Sequence, residues 1–243
     1  MADDTTFWVA GADGYRDGWA VALWQPHTGA WRWRMVDETA DLFSLPEAPV
    51  QLALDMIVGL PDAAAPGGRS CDRAARRLLG HPRSSSVFSP PAYAALQAET
   101  YDEAQRINRA SGPEAPGLSI QAYNLFPKMR AVAEAMTPER QYHVREAHPE
   151  LTFYTMNDGV ALPESKHTPE GREHRMTLLE NNGCPTIRDT VSEHASAELQ
   201  AHDILDAHAV CWTAHRIHTG EADRVPEPPV PRNKRGIHME IWR

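Results

Sequence analysis

The sequence is poor in cysteine and has no long apolar stretch. Its three cysteines, Cys71, Cys184 and Cys211, are scattered and form no CxxC pair, which argues against a disulfide framework or a structural zinc site. No stretch approaches the roughly 20 apolar residues of a membrane span, and the N-terminus lacks the basic-then-apolar layout of a signal peptide. With 243 residues, 42% of them hydrophobic, the chain is predicted to be a globular cytoplasmic protein with no membrane partner.

Positive charge is also scarce, since 24 basic residues stand against 33 acidic ones and the net charge is −9. Proteins that coat nucleic acid bind mainly by neutralising phosphates, so this balance argues against such a role. Residues 69–83 are the exception, because five arginines and one aspartate give them a local net charge of +4. This asymmetry favours a localised anion-binding surface, and an ordinary solvated helix face is the alternative.

The first sixty residues carry the patterns of consecutive strands. Phe7–Ala12, Trp19–Trp24 and Trp31–Met35 predict an antiparallel meander, with a turn over Gly14–Gly18. A short helix is expected from Asp37 to Ser44. The apolar run at 50–58 then predicts a fourth strand, buried on both faces and therefore central. Together these elements predict a mixed sheet.

Beyond Pro61 the pattern becomes mainly helical. Pro127 should kink or split one helix, and Tyr142–Glu146 offers a further strand with a helix starting at Pro149. We expect one domain over 1–243, with a helical insertion around 62–138 and a Pro-rich C-terminal extension over 225–243 that includes a stiff connector and a short edge strand. The expected helices cover residues 71–79, 101–110, 119–136, 170–181 and 202–218.

Four acidic residues recur where buried elements meet loops. Asp13 and Asp55 follow apolar runs, Glu146 closes a predicted strand, and Asp206 opens an apolar helix. A carboxylate at the end of a core strand is costly unless it is paired or binds a cation, so the four predict a metal site. Asp13 has an alternative role in forming a turn, and Asp55 as a cap or ion-pair partner.

Helical spacing places Asp203 and Asp206 on one side of the last long helix. Acids in a first helical turn also complement the helix dipole, and this is the alternative explanation that needs no metal. We rank Asp206 above Asp203, which assists as a ligand or caps the helix. Glu146 is the candidate fourth ligand, whereas the neighbouring Glu150 is expected to stabilise a helix start.

A second basic set lies at Lys166, Arg172 and Arg175. Both arginines would share a helix face, with the lysine in the loop before it, a layout suited to gripping a phosphate. Ion pairs with neighbouring glutamates are the alternative. Arg69 and Arg73 are the other candidates for contact with substrate phosphate.

Several ordered motifs resemble one known family. Gly11-Ala12-Asp13-Gly14, followed by Gly18-Trp19, resembles a Gly-x-Asp-Gly-x-x-x-Gly-Trp block, and residues 55–61 resemble an Asp-x-x-x-Gly-Leu-Pro block. Together they resemble the domain-of-unknown-function family numbered 429, grouped as predicted nucleases of the ribonuclease H fold. Further matching blocks are residues 69–76, 85–88, 146–150 and 203–207.

The resemblance implies an α/β, ribonuclease H-like mixed sheet, a three-stranded antiparallel meander plus parallel strands, flanked by helices. It implies that Asp13, Asp55 and Asp206 hold Mg²⁺ or Mn²⁺ and that the chain is a metal-dependent nuclease acting on nucleic acid. Two alternatives remain. One is an ATP-dependent small-molecule phosphotransferase of the actin-like or sugar-kinase type, which would share the fold. The other is a non-catalytic binding protein.

Overall fold

The computed structural model describes residues 6–16 and 18–243, which form strands and helices in alternating groups. The strands are β1 (Val9–Tyr15), β2 (Gly18–Gln25), β3 (Ala30–Val36), β4 (Gln51–Asp55), β5 (Val144–Glu146), β6 (Arg224–Val225) and β7 (Ile241–Trp242). The α-helices are α1 (Ser70–Leu79), α2 (Tyr101–Ala110), α3 (Ile120–Asn124), α4 (Phe126–Ala135), α5 (Pro149–Met156), α6 (Pro169–Asn181), α7 (Ile187–His194) and α8 (Ala201–Thr219). Shorter 3₁₀ turns cover Thr39–Ser44, Arg83–Ser86, Tyr93–Gln97 and Arg140–Tyr142.

Five strands form one mixed sheet in the order β3-β2-β1-β4-β5. β3, β2 and β1 pair antiparallel, whereas β4 and β5 continue the sheet in parallel from β1. The predicted mixed α/β architecture and its antiparallel meander are therefore confirmed. β4 lies between β1 and β5, and its residues Leu52, Ala53 and Leu54 are buried, as a doubly covered strand requires.

The chain divides into two compact units, each described here by itself. The first comprises the described residues up to Met56, His143–Asp223 and Trp242–Arg243, and it contains the five-stranded sheet. The second comprises Ile57–Tyr142 and Arg224–Ile241, and it contains helices α1 to α4.

Helix α8 is the main helical partner of the sheet in the first unit, where it packs against β1, β2 and β4. Its residues Ile204, Leu205 and Val210 are fully buried. Burying an aliphatic side chain of this size contributes roughly 1.5–3 kcal/mol, so α8 is anchored mainly by apolar packing. The hydroxyl groups of Thr152 and Thr213, 2.7 Å apart, also join α5 to α8.

The first hairpin is tighter than the sequence suggests. The glycines at 14 and 18 predict a turn between them, yet β1 continues to Tyr15, which pairs with Gly18 at the start of β2. A Cβ at Gly18 would lie 2.5 Å from the Val36 carbonyl oxygen. Gly18 is therefore needed because β3 approaches closely at this point, which the turn chemistry of glycine does not reveal.

Other boundaries differ for local reasons. The predicted strand from Tyr142 begins only at Val144, since Arg140–Tyr142 form a 3₁₀ turn. Trp242 in the tail makes an isolated parallel bridge to Ala147, which agrees in part with the predicted edge strand. Helix α7 was not predicted, because Ile187 is its one buried residue and gives it little apolar periodicity.

In the second unit, Pro127 divides the predicted long helix as expected. α3 ends at Asn124, and α4 begins at Phe126 with the proline in its first turn. The phenol ring of Tyr123 contacts Phe126 across this break. In the part of the chain that the structure describes, no helix combines the length and apolar character needed to cross a membrane.

Candidate functional site

Two of the predicted acids meet on neighbouring strands. Asp13 of β1 pairs in register with Asp55 of β4 at the last position of their parallel ladder. Residues in register on adjacent strands project from the same face of the sheet. The strand pairing alone therefore brings two carboxylates together.

The third acid, Asp206, lies on α8, and Gly11 determines how closely that helix approaches β1. A Cβ at Gly11 would lie 2.1 Å from the Cys211 backbone nitrogen and 2.4 Å from the Ala207 carbonyl oxygen. Any larger residue would push α8 away from β1. Gly11 therefore lets Asp206, the residue before Ala207, reach the carboxylates on the sheet.

The three aspartates form one compact cluster. Each of Asp13, Asp55 and Asp206 offers a carboxylate oxygen, and these atoms lie within 4.8 Å of one another. Asp206 is 0% exposed and Asp13 is 7% exposed. Within residues 6–16 and 18–243, Oδ1 of Asp206 is buried and has no hydrogen-bond partner. Buried polar atoms are normally paired, so this oxygen has capacity to accept a further ligand.

Burial and mutual repulsion raise the proton affinity of this cluster. Burial, and then the charges of Asp55 and Asp206, raise the pKa of Asp13 well above its ordinary value. Burial also raises the pKa of Asp55 to about 6, although the nearby charge of His148 opposes the shift. A hydrogen bond from Asp13 to Asp55 opposes it too, which is consistent with a protonated Asp13. Such shifts are typical of carboxylates gathered for a function.

Lys166 is the basic partner of this cluster. Its Nζ forms an ion pair with Oδ2 of Asp206, and its side chain is 30% exposed. Burial lowers the pKa of Lys166, but the charges of Asp206 and Asp13 outweigh that effect and hold the pKa above its ordinary value. The lysine is therefore charged and bound to a carboxylate, whereas the sequence suggested contact with a substrate phosphate.

Glu146 does not join the three aspartates. It lies in register with Leu54, one position before Asp55. Since side chains alternate along a strand, this register places Glu146 on the opposite face of the sheet from Asp55. The predicted role of Glu146 as a fourth ligand is therefore not supported.

Asp203 has a capping role at the start of α8. Its Oδ2 accepts a hydrogen bond of 2.8 Å from the Gln200 backbone N–H, and its Oδ1 lies 3.3 Å from His202 Nε2. Burial raises the pKa of Asp203, although the capping hydrogen bond opposes the shift. Of the two roles considered for Asp203, the structure favours the cap.

The arginines of α6 have different surroundings. Arg175 is 0% exposed and forms a 2.6 Å ion pair with Glu150, so its guanidinium faces the interior and the predicted phosphate contact is not supported. Arg172 is half-buried, and its Nη1 donates a 2.8 Å hydrogen bond to the His167 carbonyl. Arg172 therefore keeps its place as a candidate for substrate contact.

The two arginine candidates of the second unit also differ. Arg69 is buried against Asp72, with an Nη2 to Oδ1 distance of 2.7 Å, and its Nη1 donates to the Gly59 carbonyl at 2.9 Å. A side chain held in this way favours a structural role. Arg73 is exposed and donates to the Gly68 carbonyl, so its predicted contact with phosphate stays a prediction.

The sequence gives little reason to single out His148, because it is one of twelve histidines. The structure places it at the N-cap of α5, where its charge acts on Asp55. The signal available in the sequence was its position between the end of β5 and the helix-starting Pro149.

The cluster is a suitable donor set for a hard divalent cation. Carboxylate oxygens are the ligands that Mg²⁺ and Mn²⁺ prefer, and Oδ1 of Asp206, which has no hydrogen-bond partner among the described residues, offers one directly. Fold and site together define a mixed α/β protein with a buried acidic cluster that could bind metal.

Comparison with known proteins gives the family. Residues 11–230 match the family described as "Protein of unknown function (DUF429)", and because this match covers most of the chain, the protein belongs to that family. No curated protein matches the chain significantly, and no solved structure does.

Proposed function

We propose that this protein is a metal-dependent phosphodiesterase, a nuclease in which Asp13, Asp55 and Asp206 bind Mg²⁺ or Mn²⁺. The observation that carries the proposal is the approach of three carboxylates to within 4.8 Å, one of them with an oxygen that has no partner among the described residues. A purely structural cluster would be expected to satisfy that oxygen.

The arrangement of elements supports a ribonuclease H-like fold as the finer description. One aspartate lies on the first strand of an antiparallel meander, another on the parallel strand beside it, and the third on the last long helix. These are the three positions at which that fold is expected to carry its metal ligands. The fold alone does not determine the activity, so the proposal depends on the carboxylates themselves.

The chemistry follows from the charges of the cluster. Divalent cations held here would make a water molecule nucleophilic and stabilise the leaving oxygen of a phosphodiester. Asp13 would release its proton to bind a cation, because its pKa is raised mainly by burial and by repulsion that a cation would cancel. Lys166 and Arg172 would supply positive charge for the substrate phosphate.

The test is hydrolysis of single-stranded, duplex, hybrid and branched nucleic acids in the presence of Mg²⁺ or Mn²⁺. We expect Asp13→Asn, Asp55→Asn and Asp206→Asn each to reduce the rate by about a hundredfold or more, since residues that act as a unit fail together. Asp189→Asn, which changes an exposed acid on α7, is the matched control and should keep the parent rate. Full metal-dependent cleavage by the three variants would refute the assignment.

Cation binding can be measured without a substrate. A ligand that binds only the folded state raises the melting temperature, by an amount equivalent to about 2.7 kcal/mol at a hundred times its Kd. We expect Mn²⁺ to stabilise the parent protein and not Asp206→Asn. A melting temperature of the parent that is indifferent to Mn²⁺ would favour the non-catalytic alternative.

A further inference from the structure

Lys166 and a cation at the aspartate cluster would share the carboxylate of Asp206. Lys166 Nζ is bound to Oδ2 of Asp206, and Oδ1 of that carboxylate has no partner among the described residues. The charges of Asp13 and Asp55 also act on the lysine, so its ammonium lies in the field of all three acids. A divalent cation bound to the same carboxylates would face this ammonium at short range, and like charges at such a distance repel strongly in a buried setting.

The turn that carries Lys166 is hydrogen-bonded and closely packed, so we expect its side chain, and not its backbone, to relieve this repulsion. The Thr168 backbone N–H donates to the Ser165 carbonyl at 3.0 Å, and Thr168 Oγ1 accepts from the Gly171 N–H at 3.1 Å. A Cβ at Gly171 would lie 2.0 Å from the Ser165 carbonyl oxygen. The turn that carries Lys166 is therefore packed tightly against the start of α6.

The side chain of Lys166 is partly exposed to solvent. Lys166 is 30% exposed, in contrast to the fully enclosed side chain of Arg175 in the same unit. A lysine ammonium is a compact, strongly hydrated charge on a flexible stem, so it can exchange a carboxylate for water or phosphate by rotation about its own bonds. No movement of the turn is needed.

We infer that Lys166 is an internal competitor for the metal site, which leaves Asp206 when a divalent cation binds and then presents its ammonium to a substrate phosphate. This inference rests on the proposed function, because it takes the aspartate cluster to be a cation site. It adds an exchange of partners at Asp206 that ties cation binding to the positioning of positive charge for the substrate.

The first test compares Mn²⁺ affinities by titration calorimetry at fixed pH and ionic strength. We expect Lys166→Met to bind Mn²⁺ at least about tenfold more tightly than the parent, because its competitor is gone. Lys166→Arg keeps the charge and should bind with nearly the parent affinity. Lys234→Met, which changes an exposed lysine of the second unit, is the control and should match the parent. Equal or weaker binding by Lys166→Met, or equal tightening by Lys166→Arg, would overturn the inference.

Melting temperatures separate this role from a merely structural one. Without added metal, Lys166→Met should melt below the parent, because Asp206 loses its partner. Saturating Mn²⁺ should close or reverse that gap, since the cation then serves the same carboxylate. A gap that Mn²⁺ leaves unchanged would mean that the lysine is a structural partner only.

A labelling experiment on the parent protein avoids any folding defect of a variant. The chain has three lysines, at positions 128, 166 and 234, so the extent of acylation at each can be followed by peptide mass spectrometry. We expect saturating Mn²⁺ to increase the labelling of Lys166 several-fold while Lys234 stays unchanged. Unchanged labelling of Lys166 in protein shown by calorimetry to bind Mn²⁺ would overturn the exchange. Failure of the parent to bind Mn²⁺ at all would instead refute the proposed function.

Discussion

Each compact unit contains an ion pair with a buried carboxylate, and the two pairs differ in how far that carboxylate is satisfied. In the second unit, both oxygens of Asp72 accept hydrogen bonds from Arg69, including one of 2.7 Å from its backbone N–H, and both side chains are 1% exposed. In the first unit, Lys166 binds one oxygen of Asp206, and the other has no partner among the described residues.

This difference, together with the two further acids beside Asp206, distinguishes a structural pair from a candidate functional one. The Arg69–Asp72 pair spans three residues and completes a capping box at the start of α1, so its carboxylate has little left to offer a ligand. The Lys166–Asp206 pair joins residues 40 apart in sequence and leaves an acceptor buried beside two further acids. An incompletely paired carboxylate costs stability, and that cost is understandable where the oxygen serves a cation.

The largest expected effect comes from removing the carboxylate of the fully hydrogen-bonded Arg69–Asp72 pair. Asp72→Ala leaves the buried Arg69 guanidinium without its carboxylate, and losing one partner of a buried ion pair typically costs about 3–5 kcal/mol. Urea denaturation should show this loss in the free energy of unfolding, and Mn²⁺ should not restore it. Arg77→Ala, at an exposed position of the same helix, is the control. A loss below about 1 kcal/mol would contradict the structural role of this pair.

The next largest expected effect is a pH dependence of the stability that arises from the cluster of Asp13, Asp55 and Asp206. Asp55 has a pKa raised from 3.8 to about 6, so between these values the folded protein binds a proton that the unfolded chain releases. Stability therefore falls as the pH rises through this window, by about 2–3 kcal/mol for a shift of this size. The asparagine side chain of Asp55→Asn cannot ionise, so this variant should lack this part of the loss of stability with rising pH.

Urea denaturation of the parent and Asp55→Asn between pH 4 and 7 measures the difference. Asp189→Asn should follow the parent, because its carboxylate is exposed and is not one of the three clustered acids. Saturating Mn²⁺ should flatten the dependence in the parent, since a bound cation favours the ionised carboxylate. Parallel stability curves for the parent and Asp55→Asn would show that the cluster does not carry the effect.

The sequence predicts the strand-borne part of the site better than the rest. Asp13 and Asp55 follow apolar runs, and a parallel pairing of their strands was enough to expect them at one sheet edge. Glu146 shared that signal, but a register shift of one residue sends its side chain to the other face. Register depends on pairing across the sheet, which the local pattern of β5 does not encode.

Contacts between residues distant in sequence could not be predicted from the sequence either. Arg175 and Arg172 have the same local pattern, yet Arg175 pairs with Glu150, 25 residues away, and is buried. The partner of Lys166 is likewise distant in sequence, on α8. Gly11 shows the opposite case, because its position in the Gly-x-Asp block was visible in the sequence, but its physical reason, the close approach of α8, was visible only in the fold.

The smallest stability effect is expected at Arg73, the exposed arginine on the helix that Arg69 caps. Arg73→Ala should change the free energy of unfolding by less than about 0.5 kcal/mol, because it removes a surface side chain that donates to one backbone carbonyl. If Arg73 contacts substrate phosphate, the variant should instead weaken nucleic-acid binding and reduce the slope of log K against log salt by about 1. Arg106→Ala, exposed on α2, is the matched control and should leave that slope unchanged. Equal affinities and slopes for the parent and both variants would mean that Arg73 makes no phosphate contact.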